Sequence, residues 1–185
     1  MANNIFFTSD QHFGHGNIIK YCNRPFHSVD HMNEKMIANW NAVVQKYDSI
    51  YILGDFAWCD KEKTKAIVKR LNGIKEFIIG SHDKAVEQLV REGYLLSLGH
   101  QKTIIVQGEQ FFREITLNHY SMRVWPKSHY NTWMLFGHSH GHLEVPGKSF
   151  DVGVDVWNYY PVSLKQVEEK MEKLSDNFNL VHKEE

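Results

Sequence analysis

The chain has 185 residues, 42% of them hydrophobic and 13% aromatic. That is long enough for one domain with a sizeable core and too apolar for a disordered polymer. The 21 Lys and Arg against 22 Asp and Glu leave a net charge of −1, which excludes a nucleic-acid binder held by bulk basicity but leaves room for a local basic groove. No apolar run approaches the roughly 18 residues needed to cross a bilayer. The start, Met1-Ala2-Asn3-Asn4, lacks the basic and then apolar leader of a secreted protein. Cys22 and Cys59 are far apart and outside any Cys-x-x-Cys, as expected of reduced packing residues. The expectation is a cytoplasmic protein without a membrane or an obligate protein partner.

In chain order, short apolar runs alternate with helical patterns, as in an α/β fold. Ile5–Thr8 reads as the first strand. Ser28 reads as the N-cap of a helix from about Val29 to Gln45, because Met32, Met36, Ile37, Trp40, Val43 and Val44 recur at three-to-four spacing. Strands are expected at Ile50–Leu53, Phe77–Ile79, Thr103–Val106, Phe111–Leu117, Thr132–Phe136 and Phe150–Val156, with helices at Lys61–Leu71, Lys84–Arg91 and Leu164–Leu174. Gly108-Glu109 reads as a hairpin turn. No repeat or linker divides the chain, so residues 1–185 form one domain, with a polar tail from Ser175 expected to fray. Early strand–helix alternation followed by successive strands favours a mixed-sheet or two-sheet sandwich over a purely parallel sheet.

Five of these runs stop at an acid or an imidazole. They end in Asp10-Gln11-His12, Gly54-Asp55, Gly80-Ser81-His82-Asp83, Asn118-His119 and Gly137-His138-Ser139-His140. Ligands in α/β sheets bind beyond the carboxyl ends of strands, where loops carry polar groups without burying them. Glycine before Asp55, Ser81 and His138 is expected to allow the sharp departure that aims the next side chain into the crevice. Two carboxylates and four imidazoles meeting there require a cation. The mixed N/O donors suit Zn, Mn, Fe, Co or Ni better than Ca or Mg. Asp10, His12, Asp55, His119, His138 and His140 are too many for one tetrahedral site, so two divalent ions sharing a carboxylate are expected.

This ordered motif set, from Asp10 to His140, resembles the calcineurin-like metallophosphoesterase superfamily. His119-Tyr120-Ser121-Met122-Arg123-Val124-Trp125 and Asp151-Val152-Gly153-Val154-Asp155 resemble its small prokaryotic and phage-type branch. The resemblance implies an α/β fold, a four-layer αββα sandwich of two mixed sheets flanked by helices. It implies a first metal on Asp10, His12, Asp55 and His140, with Asp55 bridging to a second on His119, His138 and position 81. Manganese is the favoured ion. His82 would face substrate and protonate the leaving oxygen after attack by a metal-bridging hydroxide, and Arg24 or Arg123 could help hold the phosphoryl oxygens.

Two departures stand out. The family has Asn where Ser81 stands, and a serine hydroxyl is a shorter, poorer neutral ligand. The longer Gly-Asp-x-x-Asp-Arg-Gly motif of protein phosphatases is absent, because Phe56-Ala57-Trp58-Cys59 follows Asp55. Asp83 is then the candidate carboxylate for orienting His82. The expected activity is phosphodiester hydrolysis on a nucleotide, another small phosphoester or a nucleic-acid end. A phosphomonoesterase with the same core and a metal-poor binding module are the alternatives. Phe13, Trp58, Tyr120, Trp125 and Trp133 lie near the motif ends, either as packing groups or as a platform for a base.

Overall fold

The structure, a computed structural model, describes residues 4–181. Its strands are β1 (Ile5–Thr8), β2 (Ser49–Leu53), β3 (Ile74–Ile78), β4 (Leu96–Ser97), β5 (Gln101–Gln107), β6 (Phe112–Asn118), β7 (Trp133–Phe136), β8 (Ser149–Asp151) and β9 (Val162–Ser163). The helices are α1 (Ile18–Tyr21), α2 (Val29–Val43), α3 (Lys61–Arg70), α4 (Lys84–Arg91) and α5 (Leu164–Lys173). They form an α/β sandwich of two mixed sheets, ordered β4-β3-β2-β1-β9 and β5-β6-β7-β8.

The first sheet is parallel from β1 to β4, with β9 added antiparallel against β1. Each parallel step is bridged by one of α2, α3 and α4, because parallel neighbours need a long crossover. All three helices bury their apolar stripes on the same face: Met32, Met36 and Trp40 of α2, Val68 of α3, and Val86 and Leu89 of α4 pack with Phe6, Ile50, Ile52 and Phe77. Their N-termini are capped locally. Ser28 accepts from the His31 N–H, and Asp60 accepts from the Lys63 N–H, contacts typically worth about 1 kcal/mol each.

The opposite side chains of the same strands, Phe7, Leu53 and Ile78, meet Ile115, Leu117, Trp133 and Leu135 of the second sheet, and Val167 and Met171 of α5 join them. Each such buried side chain contributes roughly 1.5–3 kcal/mol. The far face of the second sheet, at Met134 and Phe136, is covered by Met122, Trp125 and Val145. Within that sheet β5 and β6 form the expected hairpin, with Gln101 opposite Asn118 and Gln107 opposite Phe112, whereas β6, β7 and β8 run parallel. The ends of β1, β2 and β3 therefore open on one edge of their sheet, and the ends of β6, β7 and β8 open on one edge of theirs.

Two expectations are corrected. The run Phe150–Val156 is not one strand. The Asp151 carboxylate accepts from the Gly153 N–H at 2.6 Å, which turns the chain just past β8, and the Val154 N–H then donates to the Ser9 carbonyl. Nor does the chain fray from Ser175. Asn177 is buried, its amide donates to the carbonyls of Ser128 and Thr132, and the Val181 N–H reaches the His129 carbonyl. Residues 182–185 lie outside the described residues.

Candidate metal centre

Beyond its last paired residue β1 continues alongside the loop after β2. The N–H groups of Asp10, His12 and Phe13 donate to the carbonyls of Gly54, Asp55 and Phe56 at 3.0, 3.0 and 2.9 Å. This irregular extension of the ladder fixes the first two acidic motifs against each other. On the other sheet the Gly137 N–H donates to the His119 carbonyl, so the His119 and Gly137–His140 segments are tied in the same way. The two halves join where the His138 N–H donates to Asp10 Oδ2 at 2.9 Å.

The glycines work differently from one another. Gly54 has φ +88°, and a Cβ there would lie 2.5 Å from the His119 ring. Gly80 has no left-handed φ; it is needed because a Cβ would sit 2.5 Å from the Asp55 backbone nitrogen. Apart from Gly54, the turning is done by the donor residues themselves. Among the described residues, ten non-glycine residues have positive φ, and five are Asp10, His12, Asp55, His138 and His140, at 61°, 51°, 52°, 66° and 48°. Such backbone costs on the order of 1–3 kcal/mol per residue and collects at functional sites.

Six of the seven expected ligands converge in two groups. Asp10, His12 and His140 have donor atoms within 4.8 Å of one another, and so do Asp55, His119 and His138. Asp55 stands between the groups, with Oδ2 3.6 Å from His12 Nε2 and Oδ1 3.4 Å from His119 Nε2. Ser81, the seventh, is exposed and directs its hydroxyl to both Asp55 oxygens at 3.1 and 3.2 Å. His82 gives its backbone N–H to Asp55 Oδ1 at 2.8 Å and holds its Nε2 4.0 Å from Oδ2, with the ring open to solvent.

Three other residues stand elsewhere than expected. Asp83 does not orient His82. Its buried carboxylate accepts from the N–H groups of Asp55, Phe56 and Gly80 at 2.9, 2.8 and 2.8 Å, fastening the loop after β3 to the loop after β2. Arg24 is buried and fully engaged: it donates twice to Asp155 and once each to the carbonyls of Asp10 and Gln11. It shapes the wall of the site and has no donor to offer a substrate. Arg123 lies exposed with its guanidinium 4.4 Å from the Phe178 ring centroid, packed on the carboxyl-terminal segment.

Two carboxylates that were not expected at the site organise it. Asp155 accepts from His140 Nδ1 at 2.7 Å. Asp151 accepts from the Ser139 hydroxyl and the Gly141 N–H at 2.6 and 3.0 Å, holding the His138–His140 turn. The signal was Gly153 between two acids inside a supposed strand, a turn pattern that the apolar run obscured. His119 likewise donates through Nδ1 to the Leu53 carbonyl at 2.8 Å. In both rings the outer nitrogen is thereby committed as a donor, so Nε2 is the atom turned toward the site, and it offers a lone pair once the ring gives up its second proton.

The electrostatics fit a cation. Asp10 Oδ1, both ring nitrogens of His12 and His119 Nε2 are buried without hydrogen-bond partners; for the carboxylate oxygen and for a bare ring nitrogen that is an expensive condition unless something positive faces it. Burial pushes the Asp10 carboxyl up to about 7. It also pushes His12 down to about 3. Burial would raise Asp55 too, but His119, the His82 N–H and His12 outweigh it and hold that carboxyl below its ordinary range. Burial opposes the charged form of His119 and His140, yet Asp55 with Asp10, and Asp155 with Asp10, raise them on balance. Removing partnered water from such a set is tolerable when donors and cation replace it together.

No family model matches the chain. It is similar to the Gene 66 protein of Mycobacterium phage L5, 33% identical over 86 residues that cover 43% of this chain and 40% of that one. The crystal structure of the protein of unknown function AQ665 from Aquifex aeolicus shares the fold with TM-score 0.66 and 24% identity, over 91% of this chain and all of that one. The uncharacterized protein MJ1445 of Methanocaldococcus jannaschii is 39% identical over 181 residues, covering 91% of this chain and 92% of its own. Over nearly its whole length, then, the chain belongs to the family of MJ1445.

Proposed function

We propose that this protein is a dinuclear metal-dependent phosphohydrolase, and that phosphodiesters ending in a nucleotide or a nucleic-acid strand are its substrates. The observation that carries this reading is the pair of donor groups, Asp10–His12–His140 and Asp55–His119–His138, with Asp55 between them and buried polar atoms left without partners. Manganese suits the mixed carboxylate and imidazole donors. When bound, a pair of such ions supplies Lewis-acid neutralisation of phosphoryl oxygens and lowers the pKa of water.

The chain's own residues supply the rest. Asp155 and the Leu53 carbonyl orient His140 and His119, and Asp83 keeps Asp55 and Ser81 in register. His82 stands over Asp55 and is not part of either donor group, which frees it to act on substrate. Hydrolysis adds water across a P–O bond. The oxygen of water ends on phosphorus as a hydroxyl and its other proton passes to solvent, while the departing alkoxide takes a proton from His82, which solvent then restores. The His82 ring is open to solvent, as a shallow cleft for a chain end requires.

Parallel assays of bis(p-nitrophenyl) phosphate and p-nitrophenyl phosphate, with metal analysis after manganese loading, test the reading. Two ions per chain and faster diester turnover are expected. Faster monoester turnover would move the assignment to a phosphomonoesterase. Less than one ion per chain with no hydrolysis would leave a binding module on this scaffold.

A further inference from the structure

We propose that the cavity beside His82 is a nucleobase subsite, in which Trp58 is the stacking platform and Lys84 the cation at the rim. This rests on the phosphodiesterase reading and names the part of the substrate that the chain recognises. The cavity is an open pocket of about 400 Å³ bounded by Ala57, Trp58, Ser81, His82, Lys84 and Ala85, within the roughly 300–1,000 Å³ typical of small-molecule sites. Ser81 and His82 belong to this wall and also touch Asp55. A base bound in the cavity would therefore lie beside a phosphorus held over Asp55, with the ribose spanning the two.

The wall has the chemistry of a base site. Of the five tryptophans, Trp40, Trp125 and Trp133 are buried and Trp157 is partly covered, while Trp58 is 49% exposed. Phe13 is likewise core, so the structure separates the aromatics near the motifs into packing groups and two open ones, Trp58 and Tyr120. Tyr120 leans on His119 and His138, whereas Trp58 lines a cavity.

Its indole is held ready. His15 stacks on it at 4.9 Å and 21°, and His82 meets it edge-on at 4.6 Å and 70°. Its backbone N–H donates to the Phe13 carbonyl at 2.8 Å, as part of the ladder between the two ligand loops. A ring fixed in this way loses little entropy when a second flat ring stacks against it. The alanines provide a low floor for an aromatic ring, and the Lys84 ammonium favours an anionic nucleotide over a neutral nucleoside.

The test is a binding measurement on the zinc-loaded protein, read from indole ¹H–¹⁵N cross-peaks. Adenosine monophosphate should move the Trp58 peak, identified as the one lost in Trp58→Phe, and ribose 5-phosphate should leave it in place. The dissociation constant for adenosine monophosphate should rise about tenfold in Trp58→Ala and only about twofold in Trp58→Phe, which keeps a stacking ring. Lys84→Ala should narrow the preference for adenosine monophosphate over adenosine. A Trp58 peak indifferent to the nucleotide, an equal shift with ribose 5-phosphate, or an unchanged constant in a folded Trp58→Ala would overturn the subsite. Hydrolysis of bis(p-nitrophenyl) phosphate by the unaltered protein tests the parent reading separately. Hydrolysis with an indifferent Trp58 removes only the subsite, and nucleotide-dependent Trp58 shifts without hydrolysis remove only the enzyme.

Discussion

His140 donates its Nδ1 hydrogen to Asp155 across 2.7 Å, and the same carboxylate accepts Nε and Nη2 of Arg24 at 2.8 and 2.7 Å. One acid thus aims the His140 imidazole into the site and neutralises a buried guanidinium. Asp155→Asn should weaken the first metal by about 10- to 100-fold, the usual effect of losing a partner that orients a ligating histidine. Asp155→Ala also leaves Arg24 buried and unpaired, and should lower stability by about 3–5 kcal/mol. Zinc titration and chemical denaturation separate the two effects; equal metal affinity in Asp155→Asn and the parent would deny the orienting role.

Ser81 reaches Asp55 through its hydroxyl where an amide oxygen would reach further. Ser81→Asn should tighten the second metal and raise diester turnover. Calorimetric titration with manganese checks the first and steady-state rates the second. If neither changes, serine already completes the site.

His82 carries the proposed proton to the leaving oxygen. His82→Ala should slow diesters with poor, alkoxide-like leaving groups by about 10²–10⁴-fold, the range for a general acid, and slow nitrophenyl esters far less. A Brønsted plot over a leaving-group series gives the answer. The same slope in variant and parent would refute the role.

Metal uptake should depend on pH in a definite direction. Burial holds Asp10 protonated up to about 7. The carboxylates around His119 and His140 overcome burial and keep those rings protonated above the ordinary histidine range. His12 and His138, lowered chiefly by burial, are already neutral there. A cation must expel the protons of the first three, so apparent affinity rises with pH through that range, and loading at lower pH releases protons. Calorimetry in two buffers of different ionisation heat counts them. An affinity that stays flat between about pH 5.5 and 8 would contradict this sign.

Much of this arrangement was visible in the residue order. Strands with strong apolar runs and helices with a clear stripe, such as Ile5–Thr8 and Val29–Val43, announce themselves because burial selects their side chains. The donor residues announce themselves by following such strands. β4 and β9 have two residues each, too few for any period, and exist because a neighbouring edge pairs with them. Arg24 and Asp155 are 131 positions apart, and nothing local in either reveals the other. Asp83 follows His82 in sequence, yet its carboxylate faces the N–H groups of Asp55, Phe56 and Gly80, a preference that only the folded loop exposes.

The positive φ of Asp10, His12, Asp55, His138 and His140 limits how this protein can change. Asn, Asp and His are the side-bearing residues that enter that region most readily, and the same three types also bind divalent ions. Valine, isoleucine and threonine are shut out of those five positions by their branched carbons alone. Mutational drift there runs to glycine, which fits the backbone but surrenders the donor, or to a small alphabet rich in potential ligands, so the backbone itself narrows the ways a donor can be replaced.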